Sequence, residues 1–353
     1  MPKRFRSVIP SKWCVSVPAG RKSPCTPAAS RAPTGRDKIL KFEGSYHGLH
    51  DTALVSVKPK AEDYGDPDAP SSVPGGGGVP KSALENVLVA SFNNLKSVEN
   101  RFQQYPGQIA AIILEPILMN VGLCLPQPGF LQGLRDICNK NGALLIFDEV
   151  KTGAKLAWGG ASEFFGVQPD LICLAKSIGG GLPLGAFGAS RTVMDLISQH
   201  KVFHGGTYNT NRVAMAAGLA TFREVLTREN YVHVGNLSKQ LTEGYRAIVK
   251  KCDLLAYVAS AGVNGALMLY PKEIQNYRDW TKIDVDLWRH YWFGMVNRGV
   301  LAQPYWWDEQ WTISVQHTKA DIDKHLAVFE ELAPALSKAQ GERGLAFVGA
   351  AGH

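Results

Sequence analysis

The stretch that decides the fold is ALLIFDEVKTGAKLAWGGASEFFGVQPDLICLAKSIGGGLPLGAFGAS, residues 143–190. Its first apolar run, ALLIF, ends in the acid pair Asp148 and Glu149, and a second apolar run, LICLA, ends in Lys176. Short apolar runs that end in polar residues are typical of buried strands in a parallel sheet. Because open α/β sheets bind ligands beyond the carboxyl ends of their strands, we expect Asp148 and Lys176 to face one bound molecule.

An acid and an amine at one site suit pyridoxal phosphate. This cofactor is held as a Schiff base to a lysine, and an acidic partner keeps its pyridine nitrogen protonated so that the ring can accept electrons. Lys176 is the candidate for the Schiff base, and Asp148 is the candidate for the ring partner. Two solvated strand ends would give the same local pattern, because isolated charged residues are mostly exposed. The spacing alone therefore leaves both interpretations open.

Three motifs together resemble the class III pyridoxal-phosphate-dependent aminotransferases, in particular the glutamate-1-semialdehyde aminomutase-like subgroup. They are LLIFDEV (144–150), KSIGGGLPLGAFG (176–188) and FHGGTYNTN (203–211). The resemblance runs from about Thr34 to about Leu332. It implies an α/β fold, the fold type I of pyridoxal-phosphate-dependent transferases, with a mostly parallel central sheet flanked by helices and a smaller α+β C-terminal domain.

The same resemblance implies the domain limits. Residues 34–229 are expected to form a large cofactor-binding domain that is incomplete at its N-terminus. Residues 230–353 are expected to form the small C-terminal domain, with a disordered tail after about residue 337. Residues 1–33 are expected to be an atypical basic segment, either disordered or translated out of frame.

The resemblance also assigns contacts to the cofactor ring. It implies that Tyr46, in a turn with His47, stacks on one face of the ring and that Val150 packs on the other face. Asn120 occupies the position of a polar side chain near the phenolic oxygen of the cofactor. Met119 stands where the aminomutases typically have glycine, a departure that weakens an aminomutase assignment but not cofactor binding.

A shared active site is a further implication. In the family, a threonine after a glycine pair reaches across a dimer interface to the phosphate of the neighbouring subunit's cofactor, and Gly206 and Thr207 match that pattern. This predicts a homodimer. As a transaminase, the protein would move an amino group between an amine or amino acid and a carbonyl compound or 2-oxo acid, with Lys176 as general base and acid. An aminomutase would run both half-reactions on one molecule.

Composition excludes several other classes of protein. The chain has 353 residues, of which 45% are hydrophobic and 20% are charged, as in ordinary globular proteins. No apolar run reaches the roughly 18 residues of a membrane span, so we expect no membrane partner. Residues 1–36 contain eight Lys or Arg and no acid, and 30 basic residues face 31 acidic ones beyond them. The net charge of +7 therefore comes from one terminal segment and does not predict a nucleic-acid surface.

Six scattered cysteines lack any Cys-x-x-Cys pair. They predict a reducing compartment, which we take as the cytoplasm, with no metal site and no disulfide framework. Organellar import is the alternative if residues 1–33 are a genuine transit peptide, which their basic, acid-free composition resembles.

A frame shift explains residues 1–33 better. In the family, a Ser-Gly-Thr-Glu turn that binds the cofactor phosphate precedes the segment resembling Thr34–Tyr46 by about twenty residues, at a helix N-terminus. Pro18–Lys22 stand at that place, and one codon set permitted for these five residues, CCA GCG GGA CGG AAG, gives Ser-Gly-Thr-Glu when read from the third base. Without that turn, the chain as written could instead be a catalytically silent remnant or an interaction protein, which is the alternative of another class.

The apolar pattern elsewhere predicts further elements. Residues 58–82, rich in Pro and Gly, are expected to form a mobile surface loop. The aromatic segment GVLAQPYWWDEQWTIS (299–314) borders the substrate pocket in the family, and core packing is its other interpretation. Strands are predicted at 38–42, 109–114, 255–260 and 265–269, and helices at 130–140, 211–226, 234–251, 284–297 and 319–332.

Overall fold

The computed structural model describes residues 31–342 and, for the backbone only, residues 13–17. The chain divides into two compact units. The larger unit consists of Met1–Leu118 and Pro126–Thr227, and the smaller one of Met119–Leu125 and Arg228–His353. Each unit contains its own sheet.

A seven-stranded sheet forms the centre of the larger unit. The strands of this unit are β1 (Trp13–Val17), β2 (Lys38–Phe42), β3 (Gly65–Asp66), β4 (Ala69–Pro70), β5 (Val87–Ala90), β6 (Ile109–Leu114), β7 (Leu144–Asp148), β8 (Leu171–Leu174) and β9 (Gly185–Ala189). Strands β3 and β4 form a separate hairpin, and the other seven strands form the sheet. The order in the sheet is β1-β9-β8-β7-β6-β2-β5. Strands β5, β2, β6, β7 and β8 are parallel, whereas β9 is antiparallel to both of its neighbours. The prediction of a mostly parallel sheet is confirmed.

Strands β2 and β5 to β9 are almost entirely buried. Every residue of β5 (VLVA) and β8 (LICL) is buried, which matches the uninterrupted apolar runs of a sheet covered on both faces. Around β7 to β9, Ile146, Leu171 and Phe187 pack together with Val193 of the following helix. The strands predicted at residues 38–42 and 109–114 are confirmed without any change of limits.

Helices connect these strands. In the larger unit they are α1 (Lys81–Asn86), α2 (Leu95–Gln104), α3 (Phe130–Asn141), α4 (Gly160–Phe165), α5 (Arg191–Ser198) and α6 (Arg212–Ala220). The predicted stop of α3 is confirmed, because Gly142 has a left-handed φ of +62° and its N–H donates to the last carbonyls of the helix. Asn211 caps α6 by accepting from two backbone N–H groups, and a π-helical turn, Thr221–Val225, continues this helix.

Residues 58–82 contain more regular structure than the sequence predicted. A 3₁₀ turn, Ala61–Asp63, precedes the β3–β4 hairpin, and Pro74 forms a β-bridge with Val55. Most residues of this segment are exposed, as expected of a surface loop, and its mobility stays a prediction. Long-range contacts hold the segment, including a hydrogen bond of 2.6 Å from the Ser91 hydroxyl to the Pro67 carbonyl.

The smaller unit combines a three-stranded antiparallel sheet with four helices among its described residues. They are α7 (Arg228–Lys251), β10 (Tyr257–Ala261), β11 (Asn264–Met268), α8 (Tyr277–Trp280), α9 (Val285–Asn297), β12 (Trp311–Thr312) and α10 (Lys319–Glu342). The Tyr245 ring stacks on Phe329 with 4.1 Å between centroids, and its hydroxyl lies 2.8 Å from both Tyr291 Oη and His325 Nε2. These buried rings form the core of this unit.

Two helix limits in this unit differ from the prediction. Helix α7 begins at Arg228, six residues earlier, and α10 continues through Pro334 to Glu342 instead of ending near Leu332. The last helix is therefore longer than predicted and includes the start of the expected disordered tail. Leu336, beyond the proline, is buried. Packing of this side chain therefore favours continuation of the helix, although proline usually ends or kinks a helix.

The basic N-terminal segment is partly described. Trp13–Val17 form strand β1, so these five residues have regular structure. Pro18–Lys22, the place of the expected phosphate-binding turn, lie outside the described residues, as do residues 343–353.

Candidate active site

Asp148 is the last residue of β7 and is buried at 3% exposure. Its Oδ2 lies 2.8 Å from His47 Nδ1, and its Oδ1 accepts a hydrogen bond of 3.2 Å from the Val150 N–H. A buried carboxylate needs such partners, because burial without hydrogen bonds is costly. The structure therefore holds the carboxylate of Asp148 in one orientation at the end of a central strand. The alternative of a solvated strand end is wrong for this residue.

Lys176 follows the neighbouring strand. Asp148 pairs in parallel register with Cys173 of β8, and Lys176 stands three residues further along. The two residues predicted as a pair thus belong to the same edge of adjacent parallel strands. Lys176 is exposed and has φ of +51°, a left-handed conformation that is uncommon for residues with a Cβ. Backbone strain of this kind is concentrated at functional sites.

Tyr46 and His47 come from the loop after β2. His47 is buried and reaches Asp148, which lies 101 positions later in the chain. Tyr46 is half-buried, and its backbone N–H donates to Glu115 Oε1 at 3.0 Å. The structure thus brings His47 and Val150 together with Asp148, while the predicted stacking of the Tyr46 ring on a cofactor stays a prediction.

Glu149 is a residue whose environment the sequence did not reveal. It is buried, and its Oε2 accepts a hydrogen bond of 2.7 Å from the Ala161 N–H. Burial raises the pKa of Glu149 from 4.5 to about 7, the neighbouring Asp148 charge adds to that rise, and the bond from Ala161 opposes it. The sequence shows two adjacent acids at the end of a strand. It does not show that the backbone near Ala161 later binds the Glu149 side chain.

The remaining predicted contacts belong to other segments of the chain. Asn120 belongs to the segment Met119–Leu125, which groups with the smaller unit, and it is half-buried. Gly206 and Thr207 are exposed between α5 and α6. Their predicted roles toward the cofactor stay predictions.

Comparisons with known proteins identify the family of this chain. Residues 22–301 match the family described as aminotransferase class-III. The chain is 39% identical over 295 residues to glutamate-1-semialdehyde 2,1-aminomutase 2 of Halalkalibacterium halodurans, covering 83% of this chain and 67% of the relative. The chain belongs to the class-III aminotransferase family. The predicted family is thereby confirmed.

Solved structures give the same fold. An omega-transaminase from Sphaerobacter thermophilus superposes with a TM-score of 0.87 at 29% identity, over 95% of this chain and 77% of that chain. A glutamate-1-semialdehyde aminomutase from Pseudomonas aeruginosa PAO1 superposes with a TM-score of 0.82 at 25% identity, over 94% and 74%. The fold is that of pyridoxal-phosphate-dependent transferases, as predicted.

Class-III aminotransferases are pyridoxal-phosphate-dependent enzymes, and this chain is one of them. Its residues fit the cofactor, because a buried carboxylate with fixed partners and an exposed lysine stand at the same edge of adjacent parallel strands. Carboxylate and amine are the donors that pyridoxal phosphate requires at its ring nitrogen and its aldehyde. No group of His, Cys, Asp or Glu suited to a metal ion occurs among residues 31–342. None of the helices described in that range could cross a bilayer.

Proposed function

We propose that this aminotransferase holds pyridoxal phosphate covalently through Lys176 and transfers an amino group from an amine or amino acid to a carbonyl compound or 2-oxo acid. The observation that carries this proposal is the placement of Asp148 and Lys176 at the ends of adjacent parallel strands, with Lys176 in a left-handed conformation. Such an arrangement provides one group for each end of the cofactor ring system.

Each site residue has a separate task in this proposal. When bound, the cofactor supplies an electron sink that stabilises negative charge on the substrate carbon. Asp148 would bind the ring nitrogen, while His47 and the Val150 N–H keep the Asp148 carboxylate in place. The ring of Tyr46 would stack on one face of the cofactor ring, which would fix its plane and add roughly a kcal/mol beyond area burial. Val150 would pack on the opposite face, and Asn120 would supply a polar side chain for the phenolic oxygen.

Lys176 moves the proton. Its Nζ would take the proton from the substrate carbon that carries the amino group and deliver it to the aldehyde carbon of the cofactor, and the second half-reaction would run the same transfer in reverse. The residue lies on a 3₁₀ turn, Lys176–Ile178, directly after a fully buried strand. A rigid strand therefore carries the amine into the site, while the residue itself remains exposed for exchange with an incoming amine.

A homodimer is part of the proposal. The segment that contains Gly206 and Thr207 exposes large apolar side chains: Phe203 at 87%, Tyr208 at 72% and Val213 at 68%. Several large apolar side chains exposed within one short segment favour an interaction site. We infer that a second copy of this chain covers it and that Thr207 binds the phosphate of the partner's cofactor.

The reducing compartment stays a proposal. Four cysteines within the described residues, Cys124, Cys138, Cys173 and Cys252, are not in disulfides. Such thiols are usual in the cytoplasm, where disulfides are rare.

An aminomutase reaction is the second candidate. It is favoured by the 39% identity to a glutamate-1-semialdehyde 2,1-aminomutase and opposed by Met119, which stands where the aminomutases typically have glycine. A screen separates the two reactions. Amine donors are tested with pyruvate and 2-oxoglutarate as acceptors, beside glutamate-1-semialdehyde alone. Turnover of the semialdehyde without an acceptor favours the aminomutase, and turnover only with an acceptor favours the transaminase.

Cofactor binding is tested first. Purified protein is incubated with pyridoxal phosphate and dialysed, and its visible absorbance is compared with that of Lys176→Ala. We expect a retained absorbance band in the wild type that is lost in the variant. A colourless wild type that releases all cofactor contradicts the proposal and favours the silent remnant, which lacks a working phosphate-binding turn.

A further inference from the structure

One peptide group in the larger unit is held at both of its polar ends by buried charged side chains. The carbonyl of Ser45 accepts a hydrogen bond of 3.0 Å from Lys41 Nζ. The N–H of Tyr46, in the same peptide group, donates to Glu115 Oε1 at 3.0 Å. Lys41 is 1% exposed and Glu115 is 3% exposed. Since a buried charge is stable only when its hydrogen-bonding capacity is used, these bonds are structurally required.

Lys41 also binds the far end of the same loop. Its Nζ donates to the carbonyls of Ala53 at 3.1 Å and Val55 at 2.5 Å. The loop follows β2 after Phe42. The Lys41 ammonium group therefore binds backbone carbonyls at both ends of the segment 45–55. This side chain closes the loop from the inside, in a place that solvent does not reach.

The two charges act in the same direction. A cation at the carbonyl and an anion at the N–H both stabilise the dipole of the Ser45–Tyr46 peptide, and such bonds strengthen each other in a medium of low polarity. Rotation of this peptide plane would break both bonds at once. Lys41 and Glu115, both buried, would then each lose one hydrogen-bond partner. The orientation of the backbone at Tyr46 is therefore fixed more strongly than either bond alone would fix it.

The residues that follow this peptide belong to the site. Tyr46 is the proposed stacking residue, and His47, the next residue, lies 2.8 Å from Asp148. We infer that Lys41 and Glu115 form a clamp on the Ser45–Tyr46 peptide and act as positioning residues for cofactor binding. They set where His47 and the Tyr46 ring stand, without touching the cofactor themselves. The cofactor part of this inference rests on the proposed function.

Backbone hydrogen exchange tests the clamp directly, because the N–H of Tyr46 is one of its bonds. Exchange is measured by mass spectrometry on peptides spanning residues 43–56 of the full-length protein, with and without pyridoxal phosphate. Lys41→Met removes the ammonium at similar length, and Glu115→Ala removes the acceptor. Glu115→Gln keeps an oxygen that accepts from Tyr46. Lys38→Met is the matched control, since Lys38 lies on the same strand and binds the Glu85 carbonyl away from the loop.

We expect Lys41→Met and Glu115→Ala to accelerate exchange in residues 45–55 by at least about tenfold, as expected for the loss of a charge-assisted hydrogen bond. The dissociation constant for pyridoxal phosphate is expected to rise by about tenfold in the same variants. Glu115→Gln and Lys38→Met are expected to stay close to the wild type in both measurements. Recovery in Glu115→Gln separates positioning from a general loss of packing.

Unchanged exchange at residues 45–47 in both disruptive variants would overturn the inference. So would an acceleration that is equally large in strands β6 and β7, since that would show a purely structural role. Should Lys41→Met fail to fold, the comparison of Glu115→Ala with Glu115→Gln decides alone. A wild type that takes up no pyridoxal phosphate contradicts the proposed function, whereas the exchange data without cofactor still decide whether the clamp exists.

Discussion

His47 Nδ1 lies 2.8 Å from Asp148 Oδ2, and both side chains are buried. The carboxylate at the end of a central strand therefore depends on a ring from a distant loop for its orientation. The other carboxylate oxygen accepts from the backbone of Val150, so the two oxygens have different kinds of partner. Only one of these partners is a side chain that mutation can remove.

Removal of that partner should weaken cofactor binding. We expect His47→Ala to raise the dissociation constant for pyridoxal phosphate by about tenfold or more, because a hydrogen bond to a charged group contributes roughly 1.5–3 kcal/mol. Equilibrium dialysis with absorbance detection measures this. His50→Gln is the control, since His50 lies on the same loop but its Nδ1 lies 2.8 Å from the Thr52 hydroxyl. Equal affinities of His47→Ala and wild type would contradict the assignment.

Glu149 should make the stability of the protein depend on pH. Its folded pKa of about 7 exceeds the usual 4.5, so its contribution to stability is present at low pH and is lost as pH rises from about 4.5 to about 7. The wild type should therefore lose stability relative to Glu149→Gln over this window, by at most about 1.4 kcal/mol per pH unit. Urea unfolding of both proteins at pH 5, 6 and 7 measures the difference. A difference that is constant with pH would contradict the raised pKa.

Strands β6, β7 and β8 could be predicted from the sequence because each is a continuous apolar run that ends in or is followed by polar residues. The strand β6 and the cap Asn211 are read directly from local patterns. The hairpin in residues 58–82 could not be predicted, because contacts such as that between Ser91 and Pro67 come from distant parts of the chain. Local composition there indicates only turns.

The same difference between local sequence patterns and long-range contacts applies to the site. Asp148 and Lys176 could be predicted, since both follow apolar runs and the strands are neighbours. The pairing of Asp148 with His47 and the role of Lys41 could not. A lysine within a short apolar strand gives no sign that it is buried on three backbone carbonyls, which depends on how residues 45–55 fold back.

His325 should give a pH dependence of the opposite sign. Burial lowers its pKa from 6.5 to about 4, with a smaller effect of His317, so the unfolded chain binds a proton that the folded one does not. Relative to His325→Gln, the wild type should gain stability as pH rises from about 4 to about 6.5, by at most about 1.4 kcal/mol per pH unit. Denaturant unfolding followed by tryptophan fluorescence measures this. A wild type that gains no stability over the variant in that window would contradict the depressed pKa.

Gly265 is a position where one added methyl group should destabilise the smaller unit. A Cβ there would overlap the Trp311 ring, which is buried and packs against Tyr245 with 4.9 Å between centroids. Because this ring cannot move aside, we expect Gly265→Ala to lower the free energy of unfolding by about 1–3 kcal/mol, as overpacked cores do. Gly235→Ala is the matched control. Gly235 lies inside helix α7 with open space around its Cβ position, so the same substitution should stabilise by about 0.5–1 kcal/mol. Urea unfolding followed by tryptophan fluorescence distinguishes the two, and equal midpoints for both variants would show that the β11–β12 packing relaxes around the added group.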